Sequence, residues 1–162
     1  LNKYQIKCNL YLVPLLKIQQ HIMDNIDSKS WILLFRRAMI HISDSICKDI
    51  KAKAIVTGEN IGQVASQTLT NLSIIDEASS VPIIRPLAGM NKEEIINKAI
   101  DIETYDISIE PYEDCCSYFV PPHPETKSNL NRIKRLEDSL KIDCLLSDAL
   151  DKIDIKKMSH YE

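Results

Sequence analysis

The stretch TGENIGQVASQT, residues 57–68, follows a short apolar run and opens into a segment compatible with a helix. A strand that ends in Thr-Gly and turns into a helix is a common way to build a nucleotide site. Glycines let the backbone approach a ligand, and the free N–H groups at a helix start favour anions. Gln63 and Gln67 are four residues apart and therefore share one helical face. The stretch predicts a nucleotide-binding unit.

The composition is that of an ordinary globular chain. Its 162 residues are 44% hydrophobic and 27% charged, with a net charge of -3. This length is enough for one domain with a hydrophobic core. The charge gives no overall basic signature of a nucleic-acid binder, although a local patch can still bind RNA. No apolar run approaches the roughly 20 residues that span a bilayer, so we expect no membrane segment. The sequence lacks an initial Met and a signal peptide, and we expect it to begin inside a longer one.

The cysteines are odd in number, irregularly spaced and not preceded by a secretion signal, which favours a reducing compartment, the cytoplasm. They are Cys8, Cys47, Cys115, Cys116 and Cys144. Free cysteines are most often buried and inert, and we expect this of Cys8, Cys47 and Cys144. Cys115 and Cys116 lie in a loop bracketed by prolines, which favours exposure. These two are the main candidates for chemistry.

Apolar periodicity predicts strands and helices in alternation. Strands are predicted at 9–13, 54–56 and 81–84, and helices at 14–25, 31–50, 62–69, 74–78, 91–102, 129–141 and 144–155. The helix after residue 90 begins with a capping-box pattern at Asn91. Residues 105–124 are predicted to be mostly loop, and 156–162 a frayed end. The alternation indicates an α/β fold with a parallel sheet and helices on both faces, in which ligands bind at the carboxyl ends of strands.

Arginines near these elements leave alternatives open. Arg36 and Arg37 point about 100° apart on a helix, so at most one of them faces a site; otherwise both are solvated charges. Arg85 follows a predicted strand and either faces a phosphate or RNA or forms a salt bridge. The basic residues within 131–135 form either a solvated helix face or a contact with a tRNA backbone.

Three patches together resemble one enzyme family. They are RRAM at 36–39, the 57–68 stretch with RPL at 85–87, and TYDISI at 104–109 running into PYEDCC at 111–116. They resemble the C-terminal half of the adenylating domain of tRNA 4-thiouridine synthetases, the ThiI family. The resemblance extends from about residue 12 to residue 124.

The resemblance implies a Rossmann-like parallel sheet of the adenine-nucleotide α-hydrolase, PP-loop type, lacking its first strand and loop. Residues 1–128 would be a partial PP-loop pyrophosphatase domain and 129–162 a C-terminal helical extension. The Ser-Gly-Gly-x-Asp-Ser loop that grips pyrophosphate is absent from the sequence. The chain is therefore a fragment, receives the loop from a partner, or is a degenerate remnant, and alone it is expected to be inactive.

The resemblance also implies an activity, that of an ATP-dependent tRNA sulfurtransferase. Members of the family adenylate a uridine in tRNA, and a cysteine persulfide then displaces AMP to give 4-thiouridine. Some members also transfer sulfur for the thiazole of thiamine. ATP with Mg²⁺ is the implied cofactor, and tRNA, a cysteine desulfurase as sulfur donor and a second copy of the chain are the implied partners. The alternative is a non-catalytic nucleotide- or RNA-binding module.

Five residues carry the implied site. The family pattern implies that Arg36, Gly58 and Gln67 contact the nucleotide. It implies that Cys116 handles the sulfur, with Cys115 as the second candidate beside it. No metal site is expected, because a cysteine pair with a nearby histidine lacks a fourth ligand.

Two positions depart from the family pattern. Glu103 stands where the family usually has Gly, so the turn after the helix that begins at Asn91 is expected to differ. His41 replaces an Arg that is common at its position.

Overall fold

Helices and short strands alternate along the chain in the computed structural model, which describes residues 7–62, 67–111 and 125–159. The strands are β1 (Lys7–Leu12), β2 (Ile55–Val56), β3 (Ile83–Ile84) and β4 (Asp154–Ser159). The helices are α1 (Leu16–Asn25), α2 (Trp31–Ile50), α3 (Leu69–Asp76), α4 (Lys92–Asp101), α5 (Tyr105–Ser108), α6 (Leu130–Leu140) and α7 (Asp143–Asp151). In the described ranges, no helix combines the length and the apolar character needed to cross a membrane.

Strands β2 and β3 form a parallel pair, as the alternation of elements predicts. The N–H of Ile55 donates to the carbonyl of Pro82 at 2.9 Å, and that of Thr57 donates to Ile84 at 3.0 Å. Because the strands are parallel, their carboxyl ends lie at one edge of the pair. The loops that follow β2 and β3 therefore begin side by side.

Strands β1 and β4 form an antiparallel pair that the sequence does not predict. Lys7 lies opposite Ser159, and Leu12 lies opposite Asp154. The prediction of a helix to residue 155 followed by a frayed end is wrong here, because α7 ends at Asp151 and the chain then enters β4. The segment becomes a strand by pairing with residues at the other end of the sequence. Local periodicity does not record such a partner.

The region after β2 also differs from the prediction. Two helices were expected at 62–69 and 74–78, but α3 is a single helix from Leu69 to Asp76. It begins there because the hydroxyl of Thr68 accepts a hydrogen bond from the N–H of Asn71 at 3.2 Å, an N-cap. Residues 63–66, which include Gln63, lie outside the described part.

In the described part of the chain, three helices are followed by a non-glycine residue with a left-handed backbone conformation. Lys51 after α2, Glu103 after α4 and Lys141 after α6 have φ values of 58°, 57° and 48°. This conformation costs an L-residue roughly 1–2 kcal/mol, which glycine avoids. Glu103 thus adopts the backbone that suits the glycine usual in the family. The capping box at Asn91, which begins α4, is confirmed.

Helix α2 is the centre of the hydrophobic core. Its apolar face packs against α1, α3, α6 and α7, as its spacing at three and four residues predicts. The buried core side chains are Ile18, Ile22, Leu33, Leu34, Phe35, Ala38, Ile40, Ile42, Leu72, Ile74, Ile75, Ala78, Ile133, Leu140, Ile142 and Ala149. Residues from both sides of position 128 contribute to this core. The division into two units at 128 stays a prediction.

A buried arginine lies in this core, which rules out the alternative that Arg36 and Arg37 are both solvated charges. Arg37 on α2 is only 2% exposed. Its Nε lies 3.1 Å from both carboxylate oxygens of Glu137 on α6, and a terminal nitrogen lies 2.6 Å from Oε2. The other terminal nitrogen donates to Glu77 at 3.0 Å and to the carbonyl of Ile74 at 2.5 Å. One guanidinium therefore joins α2, α3 and α6.

Glu137 is the carboxylate that balances this charge. Burial alone would raise its pKa, but hydrogen bonds from His41 and Arg37 lower the pKa to about 2. The ring Nε2 of His41 lies 3.1 Å from Glu137 Oε1. His41, which replaces an arginine common in the family, thus serves as a second donor to the same carboxylate.

Asp44, on α2, is another carboxylate with a lowered pKa, and it is buried. Burial would raise its pKa as well, but hydrogen bonds from Lys48 and Ser80 lower the pKa to about 2. The N–H and the hydroxyl of Ser80 both donate to Oδ1 at 2.7 Å. Asp44 thereby fastens α2 to the segment that enters β3.

Acid should destabilise the fold through these two carboxylates. A carboxylate whose pKa is lower in the folded state stabilises the fold above its ordinary pKa, and this contribution is lost as the pH falls toward the folded value. We therefore expect the free energy of unfolding to decrease between about pH 4.5 and about pH 2. Urea unfolding followed by circular dichroism at several pH values measures this.

The variant Glu137→Gln removes the charge of one of these two carboxylates. It should be less stable at neutral pH and should lose less stability on acidification. Glu93→Gln, at an exposed position on α4, is the matched control. Its free energy of unfolding should depend on pH as that of the native protein does. An unchanged slope for Glu137→Gln would contradict the assignment.

Candidate functional site

Two loops meet at the carboxyl ends of β2 and β3. The N–H of Ile61, in the loop after β2, donates to the carbonyl of Ala88 at 3.1 Å. The side-chain amide of Asn60 donates to the carbonyl of Leu87 at 2.8 Å and also to that of Met90. Asn60 is buried. A short parallel pair is thus extended by hydrogen bonds that fix one loop on the other.

The two glycines of the first loop differ in what they do. Gly62 has a φ of +80°, a conformation that disfavours other residues, and its N–H donates to the carbonyl of Gln67 at 3.0 Å. Gly58 and Gly62 are both exposed, and in the part of the chain that the structure describes no atom beyond the chain neighbours lies within 4 Å of the position that a Cβ would take at either. Gly62 closes the loop, and Gly58 lies at an open position of the same loop.

Gln67 binds the same loop with its side chain. Its Oε1 accepts a hydrogen bond from the N–H of Asn60 at 3.2 Å. Gln67 is half-buried, not fully solvated. Together with the bond to Gly62, this contact holds residues 60–62 against the start of α3.

Arg36 reaches the loop from α2 and binds Glu59 Oε1. The other carboxylate oxygen of Glu59 accepts from Arg85 Nε at 2.7 Å and from the Thr57 hydroxyl at 3.0 Å. The terminal nitrogens of Arg85 bind Asp76 on α3 at 3.2 and 2.5 Å. Four charges of alternating sign therefore run from α3 to α2.

These ion pairs decide between the two readings of Arg85. Burial would lower the pKa of its guanidinium, but hydrogen bonds to Asp76 and Glu59 raise the pKa above its usual value. All three guanidinium nitrogens bind carboxylates, so Arg85 forms salt bridges. It has no direction left for a ligand within the described residues.

The structure brings three of the five predicted site residues together. Arg36 reaches the loop after β2 from α2, Gly58 lies within that loop, and Gln67, just before α3, binds it. Cys115 and Cys116 lie outside the described residues, and their role stays a prediction.

The chain returns from the cysteine segment against α3. The side chain of Asn71 donates to the carbonyl of Glu125 at 2.8 Å and accepts from the N–H of Ser128 at 3.2 Å. The hydroxyl of Thr68 donates to the carbonyl of Thr126 at 2.8 Å. Residues 125–128 are thus fastened beside Gln67, where the loop after β2 is also fastened.

Sequence reasoning missed three residues of this arrangement. Asn60, Asp76 and the bridging role of Glu59 have no local signature. A signal did exist for Glu59, because it follows one strand end and Arg85 follows the next. Opposite charges at neighbouring carboxyl ends of a parallel pair should meet.

The other three cysteines and the basic residues within 131–135 have these positions in the structure. Cys47 is buried and Cys8 is half-buried, but Cys144 is exposed, so its predicted burial is wrong. In the basic segment, Arg132 binds Glu125 at 2.6 Å and Lys134 binds Glu77 at 2.5 Å. These cations are partly exposed and already paired with carboxylates of the chain.

Comparison with known proteins fixes the family. The family model described as thiamine biosynthesis protein (ThiI) matches residues 1–142. The chain belongs to the ThiI family. The resemblance carried by the patches at 36–39, 57–68 and 111–116 is therefore confirmed.

Relatives of this ThiI chain are described as probable tRNA sulfurtransferases. The protein of Halothermothrix orenii is 44% identical over 162 residues, which are 99% of this chain and 41% of the relative. That of Listeria welshimeri is 42% identical over 154 residues, 95% of this chain and 38% of the relative. The chain thus spans about two fifths of the length of the curated relatives it matches.

A solved structure of a 4-thiouridine synthetase–RNA complex with bound ATP has the same fold. It is 38% identical, the TM-score is 0.89, and the match covers 94% of this chain and 40% of that one. The ThiI chain is therefore an α/β unit of that synthetase fold. The described residues include one parallel pair, β2 and β3, and the finer PP-loop architecture stays a prediction.

The paired loops supply a test of the site's scaffold. In Asn60→Asp the amide donor is replaced by a carboxylate that faces two carbonyl oxygens. We expect a loss of about 1–3 kcal/mol in the free energy of unfolding, since buried acceptors lose their partner. Amide exchange of Ile61, whose N–H binds Ala88, should accelerate. Asn97→Asp, at an exposed position on α4, should change stability by less than about 0.5 kcal/mol. Equal exchange rates at Ile61 in the native chain and in Asn60→Asp would contradict the claim that the Asn60 side chain holds the two loops together.

Proposed function

We propose that this chain is the ATP-binding and sulfur-transfer part of an enzyme that converts uridine in tRNA to 4-thiouridine. The proposal rests on one observation above all. Arg36, Gly58 and Gln67 converge on a loop at the carboxyl ends of β2 and β3, the edge at which α/β folds bind ligands. The match to an ATP-bound 4-thiouridine synthetase–RNA complex supports the same assignment.

ATP would lie with its phosphates toward Arg36. A guanidinium is a planar fork of donors that suits phosphate oxygens. The open space beside Gly58 lets the nucleotide approach the backbone, and Gln67 braces the loop from the other side. Mg²⁺ would enter with the triphosphate, since this ion is commonly held by substrate phosphates with one or two carboxylates.

The Ser-Gly-Gly-x-Asp-Ser loop that grips pyrophosphate in the family would come from another part of the full-length protein. The curated relatives are longer than this chain by more than half of their own length. Alone, the chain would supply one wall of the pocket and would not catalyse adenylation.

The reaction has two stages. The C4 oxygen of uridine attacks the α-phosphorus of ATP, an O–P bond forms, and pyrophosphate leaves. The terminal sulfur of a persulfide on Cys116 then attacks C4, a C–S bond forms, the C4–O bond breaks, and AMP leaves. A thiol co-substrate attacks the Cys116 sulfur and forms a disulfide with it, while the S–S bond to the transferred sulfur breaks and that sulfur stays on C4 with the proton of the thiol. A second equivalent of the thiol then reduces the disulfide and restores the Cys116 thiol. Adenylation is needed because an unmodified C4 oxygen is a poor leaving group, whereas AMP is a good one.

A second acceptor has a specific observation in its favour. The matching family is described by its role in thiamine biosynthesis. The same persulfide sulfur would then pass toward a thiazole instead of a nucleobase. A cysteine desulfurase as the donor, a homodimer and a cytoplasmic location stay predictions.

ATP binding tests the nucleotide wall. In the full-length protein, Arg36→Ala should weaken ATP binding about tenfold or more, because hydrogen bonds to charged groups contribute about 1.5–3 kcal/mol. Isothermal titration calorimetry measures the dissociation constant. Arg135→Ala removes an exposed arginine that binds only the Asn131 carbonyl among the described residues, and it should bind ATP like the native protein. Failure of the native protein to bind millimolar ATP would favour a non-catalytic RNA-binding module or a remnant.

Sulfur transfer tests the cysteine assignment. Cys116→Ala should abolish 4-thiouridine formation in tRNA while leaving the circular dichroism spectrum and ATP affinity unchanged, because it removes only the persulfide carrier. The 4-thiouridine content is measured by mass spectrometry of digested tRNA. Cys144→Ala, which removes an exposed cysteine on α7, should retain activity. Thiolation that persists in Cys116→Ala would shift the role to Cys115 or to another thiol.

A further inference from the structure

We propose that Asp76, Arg85 and Glu59 are positioning residues that orient Arg36 for the phosphates of ATP. This inference rests on the proposed function and adds the means by which the site is held ready. The four side chains form the charge relay, defined as Asp76–Arg85–Glu59–Arg36.

The carboxylate of Glu59 divides its two oxygens between two tasks. Oε2 accepts from Arg85 at 2.7 Å and from Thr57 at 3.0 Å, so the carboxylate is fixed on that side. Oε1 is left for Arg36. A carboxylate held by two donors presents its free oxygen in one direction. The position of the Arg36 guanidinium therefore follows from the position of Glu59.

Arg85 is the fixed member of the relay. Its three nitrogens all bind carboxylates, with Nε on Glu59 and both terminal nitrogens on Asp76. Only 11% of its side chain is exposed. Such two-nitrogen contacts with a carboxylate are rigid and specific. Arg85 thus transmits the position of α3 to Glu59.

Arg36 is the member with donors to spare. Within residues 7–62, 67–111 and 125–159, Glu59 is its one hydrogen-bond partner, and a single terminal nitrogen makes that contact. The side chain is 26% exposed, in contrast to that of Arg85. The remaining guanidinium N–H groups can therefore turn to a phosphate without breaking the relay.

The charges of the relay explain why so many residues are used. A lone Glu59 beside Gly58 would repel a polyphosphate. Arg85 neutralises it, and Asp76 in turn neutralises Arg85, so the four groups sum to zero. With no net charge, the relay adds no net repulsion toward a polyphosphate. A free arginine would also lose side-chain entropy on binding, a cost that a pre-oriented one largely avoids.

The decisive variant is Asp76→Asn in the full-length protein. It changes the far end of the relay, on α3, and leaves the side chains of Glu59 and Arg36 themselves intact. We expect KM for ATP in the thiolation reaction to rise about threefold to tenfold, the scale of one ordinary hydrogen bond, because the effect on Arg36 is indirect, with kcat within about twofold. Glu59→Gln should raise KM about tenfold. Asp148→Asn is the matched control, because that exposed aspartate also pairs with a basic side chain but lies on α7, and it should keep the native KM.

A double-mutant cycle separates positioning from a general loss of stability. In an Arg36→Ala background, Asp76→Asn and Glu59→Gln should not raise KM further, because the group they orient is gone. A merely structural role would lower the melting temperature and the active fraction, and hence kcat, without this coupling to Arg36.

Each outcome supports or overturns a separate statement. If Arg36→Ala keeps the native affinity for ATP, the proposed nucleotide wall itself is wrong. If Arg36→Ala weakens binding but Asp76→Asn and Glu59→Gln leave KM unchanged, lower it, or act additively with Arg36→Ala, the relay does not position Arg36, while the proposed function stands.

Discussion

The buried guanidinium of Arg37 is the interaction on which the candidate site depends. A buried cation is tolerated only when it is paired and hydrogen-bonded, and here Glu137, Glu77 and the carbonyl of Ile74 surround it. Removing one partner of such a pair typically costs about 3–5 kcal/mol, so α2 cannot rotate freely about its axis. The preceding residue, Arg36, points about 100° away and reaches Glu59 in the loop after β2. The core thereby sets the direction of the residue that reaches for a ligand.

The parallel pair that carries the site is very short, and hydrogen bonds beyond it maintain the edge. Strands β2 and β3 each contain two residues. The loops that follow them stay together because the Asn60 side chain donates hydrogen bonds to carbonyls of the opposite loop, and the N–H of Ile61 donates to the carbonyl of Ala88. Gly62 turns the first loop back on itself. Gly58 lies at an exposed position of the same loop, between the strand end and these hydrogen bonds.

The part of the fold that is local could be predicted from the sequence. Apolar spacing predicts α2, the capping box at Asn91 predicts α4, and apolar runs predict β2 and β3. The residues around the nucleotide loop follow from its glycines and from the family pattern.

Interactions between distant positions could not be predicted. Arg37 meets Glu137 across 100 positions of sequence, and nothing near Arg37 distinguishes it from a solvated charge. Strand β4 exists because β1 pairs with it, while its own residues are compatible with a helix or a frayed end. The helix ends at Lys51 and Lys141 lack the glycine that usually signals a left-handed cap. Each miss is a case in which a tertiary contact outweighs a local preference.

The loop after β2 and residues 125–128 are both held at the start of α3. Thr68 caps α3 by accepting from the N–H of Asn71, and its hydroxyl hydrogen remains free to bind the carbonyl of Thr126. A hydroxyl can do both, because it carries one donor and two acceptor lone pairs. The preceding residue, Gln67, holds the N–H of Asn60 in the nucleotide loop. Two adjacent residues, Gln67 and Thr68, therefore join the loop after β2 to residues 125–128, so the start of α3 fixes the position of one segment relative to the other.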